Sequence, residues 1–353
     1  MTPHHATPTP HPATPHPATA DSPAIPPTDD PGHPHPGSPA PGPAVSVWAT
    51  AQQPPATQRK HRYLPASTAH PAKMLPAVAA YAITHYTQPG DLVLDPMCGI
   101  GTTLIEAIHL DRPAIGIEYE PRWAQVSAAN LDLAARAGNT TPAQVIHGDA
   151  RHLPALLPAG LLGQVTLVVT SPPYGPSTHG QVSATPGGGV HKRDHLYGNT
   201  LDRGNLANIG HHRLLSGFTR ILAGLVPYLR PGGHVAITIR PWREHCELID
   251  LPSQILTCAT HAGLIPVERC VALLARLAQD SLVARGSFFQ RDFITQQRAA
   301  GLPLHLIAHE DVVLLQRSPR PTAVPATPAP ELVLALRGTH EPQPAAALVD
   351  PVT

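Results

Sequence analysis

The chain has 353 residues, with 24 Lys plus Arg balanced by 24 Asp plus Glu. A formal net charge of zero excludes a protein that holds nucleic acid by bulk positive charge alone. No apolar run is long enough to span a membrane, and the four cysteines (Cys98, Cys246, Cys258, Cys270) form no CxxC pair, so free thiols and a cytoplasmic location are expected.

Met1 to about Ala44 is almost wholly Pro, His, Ala, Thr and Gly and cannot bury enough surface to offset its ordering entropy. Residues 1–58 are therefore expected to be a disordered segment outside the fold. Its histidines have no fixed ligand spacing, and no metal site is expected. From Asp91 the chain alternates between short apolar strands and amphipathic helices. Asp91–Leu94 reads as a strand, Thr103–Leu110 as a helix, Ala114–Glu118 as a strand and Pro121 to about Ala137 as a helix. Gln144–His147 and Val165–Thr170 follow as strands. A helix over about Leu214–Leu229 is expected to stop at Pro231-Gly232-Gly233. Val235–Ile239 is the next strand, then a helix over Pro252–Ala262, and finally the strands Val267–Leu274 and Val312–Gln316. This alternation predicts a single α/β domain over residues 59–317, with a mostly parallel sheet covered by helices on both faces. A Pro/Ala-rich tail fills residues 318–353, in which Glu331–Arg337 could form a short element.

Two stretches carry chemistry. The first strand ends in Asp95-Pro96-Met97-Cys98-Gly99-Ile100-Gly101-Thr102-Thr103. Glycines there let a ligand approach the backbone and permit the turn from strand into helix. The stretch is not GxGxxG and has no Walker lysine, so a nucleotide phosphate is not the obvious guest. Glu118, 23 residues after Asp95, sits where a carboxylate can accept from both hydroxyls of a ribose, and Asp149 ends the third strand. The second stretch is Thr170-Ser171-Pro172-Pro173-Tyr174, directly behind the apolar strand Val165–Val169. With 45 prolines in the chain a Pro-Pro pair is cheap, as Pro26-Pro27 and Pro54-Pro55 show. Its placement at the carboxyl end of a buried strand, where open α/β sheets bind ligands, is not.

The ordered pair, glycine turn before Ser-Pro-Pro-Tyr, resembles the S-adenosylmethionine-dependent DNA amino-methyltransferases, the N4-cytosine/N6-adenine DNA methylases in their gamma-like motif order. The resemblance covers about His70–Arg243, roughly half the chain. It implies a Rossmann-like class I methyltransferase fold, with a seven-stranded sheet and an antiparallel edge strand. It implies S-adenosylmethionine as cofactor, bound by Asp95, Pro96, Cys98, Gly99, Gly101 and Thr102, with Glu118 at the ribose and Asp149 at the adenine amine. His70-Pro71-Ala72-Lys73 resembles a further family element, with Lys73 in a structural or carboxylate-binding role. It implies that Ser171, Pro172, Pro173 and Tyr174 form the catalytic site, acting on a base flipped out of duplex DNA. Ser in the first position of that motif leans to cytosine N4 over adenine N6. Residues 175–213 and 279–309, the latter with Phe288 and Phe289, are candidate substrate-recognition insertions. Their modest size leaves room for a specificity or restriction partner. The chief alternative is an RNA enzyme, since Asp-Pro-Met-Cys-Gly and Tyr174-Gly175 also look like the tRNA guanine-N2 methyltransferases. A third reading is a regulatory subunit that keeps the fold and needs a partner; the intact Ser171–Tyr174 motif argues against it.

Overall fold

A computed structural model describes residues 42–173, 181–185, 189–193, 202, 204–244, 247–286 and 288–319. Its main elements are β1 (Val47–Trp48), α1 (Pro76–Tyr86), β2 (Leu92–Asp95), α2 (Thr102–His109), β3 (Ala114–Glu118), α3 (Pro121–Arg136) and β4 (Ala143–His147). They continue with β5 (Val165–Thr170), α4 (His211–Leu225), β6 (Leu229–Ile239), α5 (Leu251–His261), β7 (Leu264–Leu273), α6 (Phe288–Ala299) and β8 (His309–Arg317). One sheet runs in the order β1-β7-β8-β6-β5-β2-β3-β4. All its pairings are parallel except the two that β8 makes, with β6 and β7. The expected seven strands are thus present, and the antiparallel strand lies one place in from β7 near the sheet's edge. The sequence order doubles back at β2, so β2 and β5 are central and end side by side. That is the switch point where ligand sites form in open α/β sheets.

The all-apolar strand β5 is buried along its whole length, as a sheet covered on both faces requires. One face carries α4 and α5 over Val168, Val235 and Ile237. The other carries α1 and α2 over Val93, Leu167 and Val169. Packing on both faces leaves only the strand ends open to ligands.

Two expectations are corrected. The helix expected to reach Leu229 ends at Leu225, and Pro231-Gly232-Gly233 lies inside β6. The β5–β6 register skips there, pairing Val165 with Leu229 and Leu167 with His234, so the intervening residues bulge. A Cβ on Gly233 would lie 2.9–3.1 Å from the backbone oxygens of Arg230, Thr166 and Val165, so the bulge needs a glycine.

The second correction concerns residues 1–58, expected to lie outside the fold. Residues 1–41 fall outside the described ones, but Val47–Trp48 pairs with Val271 and Ala272 of β7. Trp48 is fully buried, its ring stacks on Tyr81 at 4.4 Å, and its Nε1 donates to the Val45 carbonyl at 2.8 Å. Thr50 Oγ1 donates to the Leu273 carbonyl at 2.7 Å. One indole can anchor a Pro-rich strap because a buried tryptophan contributes several kcal/mol. Trp48→Ala is expected to cost about 3–5 kcal/mol in urea unfolding. A loss below about 1 kcal/mol, the scale of surface substitutions, would mean the strap is not part of the core.

Candidate active site

The β2–α2 turn is built around two left-handed glycines, Gly99 (φ +53°) and Gly101 (φ +83°). Gly101 directly precedes the first residue of α2. A Cβ on Gly99 would stand 3.0 Å from His70 Nε2, which places the His70–Lys73 stretch against the turn. Asp95, at the end of β2, is 3% exposed. Its Oδ2 accepts from Thr103 Oγ1 at 2.6 Å and its Oδ1 from the Met97 N–H at 3.0 Å. Burial raises its pKa to about 6 against these stabilising donors. Glu118, at the end of β3, accepts from the Gly99 N–H and the Glu120 N–H, both at 2.8 Å. Its pKa is raised to about 7, mainly by burial. The carboxylate therefore also ties the tip of β3 to the glycine turn.

Asp149 follows β4 and lies with Glu118 on a narrow cleft that also touches Pro96, Met97, Ser171 and Pro173. Its two oxygens accept from the Arg151 guanidinium at 2.7–3.0 Å. Those bonds hold its pKa below the usual carboxylate value despite partial burial. A carboxylate has about four acceptor positions, so the pair still leaves capacity for a ligand amine. Asn205 Nδ2 donates to Glu120 Oε1, and Tyr119 Oη donates to Asp202 Oδ2, both at 2.5 Å, and Gly204, Asn205 and Leu206 line this cleft.

The larger cavity, about 710 Å³, brings together Asp95, the glycine turn, Lys73, Ser171, Pro172 and Pro173. The two sequence motifs, some seventy residues apart, thus face one space. Tyr174 lies outside the described residues, as do 175–180, 186–188, 194–201 and 203 of the candidate insertion 175–213. Lys73 lines the cavity but is already engaged, its Nζ donating to the carbonyls of Thr68 (3.0 Å) and His70. Burial lowers its pKa to about 8. Cys98 is buried beneath the turn, and a Cβ on Gly116 would stand 2.7 Å from its Sγ. Burial raises its thiol pKa well above the usual value, so it packs rather than reacts.

Several cavity residues carried no local signal in the sequence. Thr238 and Arg240 come from β6 and its exit, and Glu310 from β8. Phe293 and Ile294 of α6 and the 304–307 stretch close the far wall. The candidate insertion 279–309 thus lines the same cavity as Ser171, while the side chains of Phe288 and Phe289 lie outside the described ones.

Residues 20–129 match the family model described as DNA methylase, N6_N4_Mtase. That interval holds the glycine turn and Glu118 and ends before Asp149 and Ser171. The chain is 41% identical over 63 residues to the Type II methyltransferase M.BglI of Bacillus subtilis, covering 18% of each. It is 34% identical over 110 residues to a tRNA (guanine(10)-N2)-dimethyltransferase of Methanocaldococcus jannaschii, covering 31% of each. The chain thus spans under a third of the length of each of these relatives. Among solved structures, TrmN of Thermus thermophilus superposes with a TM-score of 0.44 at 17% identity, over 74% of this chain and 53% of that one. By its methylase-model match over residues 20–129, its likeness to a Type II enzyme and its mostly parallel sheet, the chain is similar in this part to the N4/N6 DNA amino-methyltransferases.

Proposed function

We propose that the protein transfers a methyl group from S-adenosylmethionine to the exocyclic amine of a base flipped out of DNA, cytosine N4 in preference to adenine N6. The observation that carries this reading is the meeting of Asp95 and the glycine turn with Ser171–Pro172–Pro173 in one cavity. The residues present fit the cofactor. Two glycines keep the turn free of side chains, and buried carboxylates stand at the ends of β2 and β3. Asp95 is the partner for an ammonium, Glu118 for ribose hydroxyls and Asp149 for the purine amine, with Pro96, Cys98 and Thr102 shaping the cradle. When bound, S-adenosylmethionine supplies an electrophilic methyl group on a sulfonium.

The protein's task is to make a poor nucleophile reactive. A conjugated amine has its lone pair delocalised into the ring. Ser171 Oγ and the Pro172 carbonyl accept its two hydrogens and favour a tetrahedral nitrogen. Consecutive prolines fix φ and hold that carbonyl in place. Tyr174 is assigned to stacking on the flipped base. Residues of α6 and of 304–307 bound the same cavity.

The raised carboxyl pKa values give this reading a pH signature. Asp95 and Glu118 are acids whose folded pKa values, about 6 and about 7, lie above their ordinary ones. The folded cofactor-free protein therefore binds more protons than the unfolded chain, and its stability falls as pH rises from about 4 to 7. Each group contributes roughly 3 kcal/mol to that fall, at about 1.4 kcal/mol per pKa unit. An ammonium beside Asp95 requires the charged form, so cofactor affinity is expected to rise up to tenfold per unit between pH 5 and 6. Calorimetric titration across pH 5–8 measures this, and a flat profile would remove Asp95 from the cofactor site.

Methyl-labelled S-adenosylmethionine offered with duplex DNA, single-stranded DNA or bulk tRNA tests the substrate class. Label in DNA supports the reading. Label in tRNA alone would favour the second reading, to which the likeness to tRNA (guanine(10)-N2)-dimethyltransferases gives weight.

A further inference from the structure

Side chains on one face of the sheet form a row across its open end. Val93 of β2, Leu167 and Val169 of β5, Ala236 of β6, and Val312 and Leu314 of β8 all pack in the core under α1 and α2. Strand alternation then puts Asp95, Ser171, Thr238 and Glu310 on that same face at the strand ends. Registers sharpen the picture. Thr170 pairs with Ile237, making Ser171 and Thr238 the next neighbours, and Asp311 pairs with Ile239, making Arg240 and Glu310 the next. Asp95, Ser171, Thr238, Arg240 and Glu310 all line the 710 Å³ cavity. Thr238 is 1% exposed, yet its Oγ1 has no hydrogen-bond partner among the described residues. A buried hydroxyl left without a partner costs about 1–3 kcal/mol, a cost that a ligand atom can remove. Desolvation raises the Glu310 carboxyl, and the Arg240 charge opposes that rise, so the two side chains are coupled within the cavity wall.

We propose that Thr238, with the Arg240–Glu310 pair beside it, reads the ring edge of the acceptor base next to the amine that Ser171 holds. This rests on the amine-methylation reading above and names residues that confer its base preference. On cytosine the atoms beside the N4 amine are N3 and then O2, both acceptors. The Thr238 hydroxyl and the Arg240 guanidinium are donors, and Glu310 holds that guanidinium by charge. On adenine the ring atom beside the amine accepts, but the next position is a carbon, so one donor goes unmet. On guanine the amine is flanked on one side by an N–H donor, which meets another donor. Two donors on the same face of one strand, two residues apart, therefore fit cytosine best, because an unmatched buried polar group is what rejects the wrong base.

The test is a chemical double-mutant cycle on the full-length protein. Wild type and Thr238→Val are assayed on a DNA duplex carrying cytosine, or 3-deazacytosine with N3 replaced by carbon, at the modified position. Thr238→Val is expected to lower kcat/KM on cytosine about tenfold, the scale of one lost hydrogen bond. It should add no further loss on 3-deazacytosine. Arg240→Gln should lower kcat/KM about 10- to 100-fold, the discrimination of a good base contact. Thr238→Ser, which keeps the hydroxyl, should retain activity, and the cofactor Kd should stay within about twofold in each variant, as for residues that do not touch it. The proposal is overturned if Thr238→Val matches wild type, if its loss simply adds to that of the deaza base, or if it tracks an equal loss of cofactor affinity. Should wild type leave cytosine unlabelled and modify another amine, the cytosine assignment fails by itself. The cluster is then judged on that acceptor: a kcat/KM loss in Thr238→Val with cofactor binding intact supports it, and no loss overturns it.

Discussion

Ser171→Ala is expected to lower kcat for methyl transfer by about 10²- to 10³-fold while leaving cofactor Kd nearly unchanged, the size of effect seen when one preorganised polar group is removed at a reacting centre. Ser171 follows the last residue of β5 and is half-buried on both the large cavity and the narrow cleft. Removing the hydroxyl takes away one of two acceptors for the amine hydrogens and alters no core packing. The loss should therefore appear in single-turnover rates at saturating cofactor and DNA, and a fall confined to KM would recast Ser171 as a binding residue. Pro172→Ala is expected to act in the same direction but more weakly, because the carbonyl survives and only its rigid placement is lost.

Gly101→Val is expected to destabilise the protein by about 2–5 kcal/mol, combining a left-handed backbone cost of about 1–2 kcal/mol with an overpacking cost of about 1–3 kcal/mol. Gly101 has φ +83°, and a Cβ there would stand 2.4 Å from Ser127 Oγ. Ser127 is fully buried on α3, so it has little room to retreat. The pairing gives a second, sharper check. In Gly101→Ala the change Ser127→Gly should relieve the clash but not the backbone strain, recovering part of the loss. Thermal unfolding reads both. Neutral behaviour of Gly101→Val would mean the turn is not held in this conformation.

Strands β2 to β8 were readable because each contains an apolar run, and Asp95–Thr103 and Ser171–Pro173 were readable because chemistry sits just after such runs. Other features were not, each for a physical reason. Trp48 lies in a Pro-rich stretch, and its burial depends on Tyr81 and β7, which no local pattern announces. The Pro231-Gly232-Gly233 stretch has the composition of a helix stop and of a strand bulge alike, and only the contact with Thr166 and Val165 separates them. In α1 the sequence is apolar nearly all round, which hides the helical period. The Thr238, Arg240 and Glu310 cluster is invisible for a deeper reason. Its members meet through the antiparallel register of β6 with β8, strands separated in the chain by α5, β7, α6 and two short hairpins. Asp149 was legible as a strand-end acid, but its capture by Arg151 two residues on was not anticipated.

The most direct measurement is nucleoside analysis of DNA incubated with the protein and S-adenosylmethionine, for wild type and Ser171→Ala in parallel. The account predicts N4-methylcytosine in the wild-type digest and its near disappearance in the variant. Methylated nucleosides in tRNA with none in DNA, or undiminished product from Ser171→Ala, would contradict it.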